Sequence, residues 1–242
     1  MRRTRISWRF FLCAMAVCSF FSATAAQHRP PVCEEIAKAY GFSSFGQVEK
    51  IRYTFNVDLG GEKISRSWIW EPKTDRVSYE AKNKAGKTVR YEYLRSKMGS
   101  QPANVSKEID PAFVNDQYWL LFPFHLVWDR AAIADKGMAK MPVGKGFARR
   151  IVITYPKEGG YTPGDRYELF VGPDHLIQAW IYHAGAAPKQ SVTARWSAHK
   201  KAGPLVISTD RPGTREGGKP IRIFFSDVAV KLSGSPAWVA AQ

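Results

Sequence analysis

Apolar residues Ile51, Tyr53, Phe55, Val57 and Leu59 alternate without a break against Arg52, Thr54, Asn56 and Asp58. A period of two over that length predicts a strand with one buried and one wet face. Gly60-Gly61 then turns the chain. The alternation returns over residues 64–70, 77–81 and 89–93, with Lys84-Ala85-Gly86 as a turn, so four strands read as a meander of hairpins. It resumes over 147–155, 167–171, 176–183, 191–198, 205–209 and 221–232, with the glycine-rich stretch 210–220 read as a loop.

Two stretches have a helical texture. Residues 33–41 place Ile36 and Tyr40 on one face, pair Glu34 with Lys38, and end on Gly41, which can supply a left-handed stop. Asp110-Pro111 reads as an N-cap followed by proline at the first helical position, with Ile109 and Val114 as a hydrophobic staple. That helix runs through Asn115, Asp116, Tyr118 and Trp119 until Pro123, and being apolar nearly all round it should be buried. About ten strands without a parallel strand–helix–strand rhythm make the fold mainly β, as a curved antiparallel sheet or open barrel.

The N-terminus changes the picture of where the chain works. Arg2, Arg3, Arg5 and Arg9 precede an apolar run from Phe10 to Phe21, and Ala23-Thr24-Ala25 offers small residues for a cut. These are the parts of a secretory signal peptide, and the run is too short for a spanning helix. Residues 1–25 are therefore expected to be removed, leaving 26–242 as one exported, soluble domain. Of the 3 cysteines only Cys33 lies beyond the leader, so no internal disulfide is expected and the core must hold the fold unaided.

Catalytic chemistry is sparse. The 5 histidines, at positions 28, 125, 175, 183 and 199, show no pair at metal-ligand spacing, and there is no HExxH, CxxC or GxSxG. Cys33 reads as a small apolar residue of an amphipathic helix rather than a nucleophile. Asp110, Asp116, Asp129 and Asp135 cluster in sequence without the marks of an acid–base pair. No catalytic residue, metal or cofactor is predicted.

Charge and aromatics carry more. The formal net charge is +15, four of it in the leader arginines. Lys136, Lys140, Lys145, Arg149 and Arg150 gather at one loop-to-strand passage, and Lys200, Lys201, Arg211, Arg215 and Lys219 fall in later loops. Such a surface attracts anionic lipid headgroups or polyanions, but no nucleic-acid motif accompanies it. The chain holds 8 Trp, 10 Tyr and 14 Phe. Trp68 and Trp70 share a strand face, with Tyr79 and Tyr91 on the apolar faces beside them, and a curved sheet would gather these in a concavity able to line an acyl-chain pocket. Arg66 lies on the same face, where its charge must meet a lid, a carboxylate or a ligand headgroup.

The run Asn115-Asp116-Gln117-Tyr118-Trp119-Leu120-Leu121-Phe122-Pro123-Phe124 and the run Tyr161-Thr162-Pro163-Gly164-Asp165-Arg166-Tyr167-Glu168-Leu169 are similar to those of uncharacterised exported bacterial proteins. Their fold is like that of the periplasmic lipoprotein carriers LolA and LolB. The resemblance covers most of residues 33–232. It implies a single, highly curved antiparallel half-barrel with helices across its concave face, enclosing an apolar cavity that in the carriers receives lipoprotein acyl chains. It makes Arg66 a positional candidate for a cavity-facing arginine.

Together these readings point to a periplasmic, monomeric protein that binds a lipid or the acyl chains of a lipoprotein and involves no nucleic acid. The cavity candidates are Arg66, Trp68, Trp70, Tyr79, Tyr91 and Trp119. The alternative is an interaction or structural protein holding an anionic envelope polymer or another protein on its basic surface, and an anionic membrane surface is a further partner that this charge suits. An envelope hydrolase is the third reading.

Overall fold

The computed structural model describes residues 29–159, 163–186 and 192–242. The leader expected at 1–25, with Tyr161 and Thr162 of the second quoted run, lies outside them. In chain order the elements are α1 (Val32–Ala39), β1 (Val48–Asp58), β2 (Lys63–Glu71), β3 (Arg76–Lys82), β4 (Thr88–Leu94), α2 (Asp110–Leu120) and α3 (Phe122–Trp128). Then come β5 (Ala132–Lys140), β6 (Phe147–Thr154), β7 (Arg166–Val171), β8 (Ile177–His183), β9 (Val192–Arg195), β10 (Ser197–Ala202), β11 (Leu205–Arg215), β12 (Lys219–Leu232) and β13 (Trp238–Ala240).

The strands form one antiparallel sheet in the order β4-β3-β2-β1-β12-β11-β9-β8-β7-β6-β5, with β10 added to β11 and β13 to β12. It is not closed into a barrel. The fold class predicted from the pattern is the one observed, with thirteen strands where about ten were expected. The difference is β5, β13 and the division of the stretch expected at 191–198 into β9 and β10, while β11 and β12 run longer than expected. Ala132–Lys140 is rich in Ala, Lys and Gly and lacks an apolar period, yet it pairs along β6 as the edge strand. The stretch read as a loop at 210–220 is a hairpin in which Asp210 to Arg215 pair with Lys219 to Phe224. Gly213 belongs in that strand because a Cβ there would lie 2.2 Å from the Thr193 carbonyl oxygen of β9.

The helical expectations also need correction. Asp110 is no N-cap: it lies within a helical run, and Ile109 before it is already helical. The helix begins earlier, and Val105–Ile109 are wound as a π-helix. A widened turn lets the chain continue into Pro111, which lacks an N–H and would clash with a carbonyl four residues back in a regular α-helix. At the other end Leu121 interrupts the helix, and Pro123 sits in the first turn of α3 instead of terminating α2.

One large core joins the concave face to the three helices. α1 closes one end of the half-barrel, with Cys33, Ile36 and Tyr40 buried. Gly41 turns the chain at φ 92°, where a Cβ would collide with the Pro204 carbonyl oxygen at 2.2 Å. A smaller cluster of Ala148, Phe170 and Ala179 lies on the opposite face. Among the described residues no helix is long and apolar enough to cross a membrane.

Candidate functional site

The register of the first four strands places Tyr53, Trp68, Tyr79 and Tyr91 in one row across the sheet. Ile51, Trp70, Val77 and Tyr93 make the next row, and Phe55 and Arg66 face one another beyond the first. Period-two alternation thus gathers the predicted aromatics on one face. α2 covers that face. Its Phe113 ring packs 5.5 Å from Trp68 and 5.9 Å from Trp70.

Two arginine–aspartate pairs fasten α2 to this half of the sheet. Arg66 donates from Nε to Asp116 Oδ2 at 2.7 Å and from Nη2 to Oδ1 at 2.6 Å. Trp68 Nε1 donates to the same carboxylate at 2.9 Å, and Asn115 Nδ2 at 3.0 Å. Burial pushes the Asp116 carboxyl up, and the Arg66, Asn115 and Trp68 donors pull against it. Arg95 donates to Asp110 at 2.8 Å, and the Tyr93 hydroxyl reaches the same oxygen at 3.1 Å.

The other half of the concave face carries an aromatic cluster among aliphatic side chains. Trp119 meets Trp180 at 4.0 Å between ring centroids, and Phe122 meets Tyr167 at 5.1 Å and Trp196 at 5.9 Å. Of the six predicted cavity residues, Trp68 and Trp119 are buried, while Arg66, Trp70, Tyr79 and Tyr91 are half-buried. Five of them lie on β2–β4 under α2, and Trp119 lies on α2 itself facing β7 and β8.

Two concavities among the described residues bear on this site. One, of about 780 Å³, runs over β1–β4 and touches Trp68, Tyr79 and Tyr91. It is also walled by Ser67, Ser78 and Glu80, which alternate with those aromatics and so mark the outer side of the sheet. The second, of about 640 Å³, opens between α2–α3 and the segment after β6. Pro111, Val114, Tyr118, Trp128, Tyr155 and Tyr167 wall it, with Arg130 at its rim.

A hydrogen-bonded chain forms the floor of this second cavity. Tyr155 donates to Asp129 Oδ2 at 2.6 Å, Tyr118 and Tyr155 hydroxyls lie 2.8 Å apart, and His125 Nδ1 lies 3.0 Å from Asp129 Oδ1. Because Tyr155 uses its proton on Asp129, Tyr118 donates to Tyr155. Burial would raise the Asp129 carboxyl, but the bonds from His125 and Tyr155 and the His125 charge outweigh it and hold the group below the ordinary range. Both tyrosines are pushed up, first by burial, and remain neutral donors. Among the described residues, His125 Nε2 is buried without a hydrogen-bond partner.

No protein-family model matches the chain, and no curated protein does. Solved structures are similar to it only remotely. A DUF1329 family protein from Desulfovibrio piger aligns at TM-score 0.46 and 15% identity, covering 85% of this chain and 95% of its own. A LolA superfamily protein from Nitrosomonas europaea aligns at 0.45 and 10%, covering 84% and 94%. The lipoprotein LppX of Mycobacterium tuberculosis aligns at 0.30 and 7%, covering 83% and 96%. Such distant likenesses name neither ligand nor partner for this chain.

Sequence reasoning missed several residues here. His125 and Asp129 stand at i,i+4 spacing, a signal present in the sequence, whereas Tyr118 and Tyr155 meet only through the tertiary fold. Arg211, read as part of a basic loop surface, is fully buried on β11. Its guanidinium carbon lies 3.9 Å from the Trp196 ring centroid, and burial pushes it down to about 9. Cys33 is buried and its thiol is raised to about 11 by burial, in line with a packing role. Asp165 accepts the Gly185 N–H at 2.7 Å. Among the described residues no group of three or more His, Cys, Asp or Glu is arranged to hold a metal.

Proposed function

We propose that this is an envelope protein that binds a lipid, or the acyl chains of a lipoprotein, in its half-barrel. The observation that carries the reading is the 640 Å³ cavity between α2–α3, the segment after β6 and Tyr167 of β7, where Pro111, Val114, Tyr118, Trp128 and Tyr155 stand over a polar floor of Asn115, His125 and Asp129. Its volume is that of a small-molecule site, roughly 300–1,000 Å³. Burying ten methylenes there would release about 8 kcal/mol before ordering costs. Arg130 at the rim suits an anionic headgroup.

One further feature supports binding over catalysis: among the described residues, the polar chain on the cavity floor ends on a buried histidine nitrogen with no hydrogen-bond partner. Native mass spectrometry of gently purified protein tests this: adducts with lipid masses are expected, and a protein uniformly free of them, which also takes up none from added lipid, overturns it.

A further inference from the structure

Met138 and Phe147 are 68% and 72% exposed, more than any other large apolar side chains among the described residues. Both lie on the β5–β6 hairpin. Phe147 pairs with Lys140 and Met138 with Arg149, so the four side chains share one face of the ribbon. Lys136, Lys140 and Lys145 are exposed around them, and the Arg195 guanidinium lies beside Gly144 at the hairpin tip, 3.2 Å from where a Cβ there would be. The acid on this ribbon, Asp135, is engaged by Arg149. Exposed apolar side chains ringed by lysines fit neither a core nor a plain solvated edge.

We infer that the β5–β6 hairpin docks the protein on an anionic bilayer, with Phe147 and Met138 entering the headgroup region and Lys136, Lys140 and Lys145 meeting lipid phosphates. Charge complementarity favours this occupant: lysines near an anionic surface each add attraction, and amphipathic apolar groups between them add insertion. The inference does not rest on the cavity, since a protein that holds no lipid would still dock.

The test is sedimentation of the purified chain with vesicles of phosphatidylcholine containing about a third phosphatidylglycerol, beside pure phosphatidylcholine vesicles. Binding to the anionic vesicles only, weakening as salt rises, is expected. The double variant Phe147→Ser with Met138→Ser should bind about tenfold more weakly or worse. Each of Lys136→Gln, Lys140→Gln and Lys145→Gln should cost about fivefold. All five side chains are exposed, so the thermal unfolding midpoint should not move. The inference is overturned by equal binding to both vesicles, by no binding, by a lysine dependence that ignores Phe147 and Met138, or by dimers that the Phe147 variant dissociates.

Discussion

Arg66 and Asp116, fifty residues apart, meet through two parallel hydrogen bonds of 2.7 and 2.6 Å, with the carboxylate fully buried and the guanidinium at the edge of the core. This pair answers what a cationic side chain does on an aromatic strand face: it receives the covering helix. Removing only one partner strands the other. Asp116→Ala should therefore cost about 3–5 kcal/mol in chemical denaturation. The double change Arg66→Met with Asp116→Leu should recover most of that loss. A single Asp116→Ala change costing under about 1 kcal/mol would mean that the pair is not formed in solution.

Trp119 is packed against Trp180, Tyr167 and Tyr182, and its indole N–H donates to Asn115 at 3.1 Å. Trp119→Ala should cost about 3–5 kcal/mol, the range for truncating a buried large aromatic. A loss under about 0.5 kcal/mol by urea unfolding would show the ring to be out of the core.

The Cys33 thiol is buried and raised to about 11. At pH 8 it should resist a thiol-specific maleimide in the native protein and react at once in denaturant. Rapid native labelling would contradict the placement of α1.

Stability should fall with acid partly through Asp129. Its folded carboxyl lies below its unfolded value, so the unfolded state binds the proton more readily. The contribution is present above the unfolded value of about 4 and is lost as pH falls through the lower, folded one. Asp129→Asn should flatten the unfolding free energy against pH in that acid window and destabilise the protein at neutral pH. An unchanged acid slope would contradict the bonds drawn to His125 and Tyr155.

The sheet was legible because strands half-buried on one side declare themselves by alternation, as Ile51, Tyr53 and Phe55 do. β5 was not, since an exposed edge strand of Ala, Lys and Gly buries too little to set a period. The start of α2 was misread because Asp110-Pro111 carries the local grammar of an N-cap, while Asp110 is spent on Arg95 and Tyr93. The row Trp68, Tyr79 and Tyr91 followed from parity and register, but none of the six residues expected to line a cavity lines the one between α2–α3 and the segment after β6. The floor of that cavity was not legible, because Tyr118, Tyr155 and Asp129 converge from separate elements. Arg211 shows the limit of reading charge as surface: nothing local tells a guanidinium over Trp196 from one in water.

Titration with a fluorescent fatty-acyl probe tests the central claim most directly. The wild-type chain should bind the probe, quench tryptophan emission and release the probe to unlabelled lipid. Trp128→Ala, which lines the cavity and is 38% exposed, should weaken binding by the folded protein about tenfold, with some fall in the unfolding midpoint from the lost ring contacts to Phe42, Phe45 and Phe124. Absence of saturable binding by the folded wild-type chain, or binding that Trp128→Ala leaves untouched, would contradict a lipid site in this cavity.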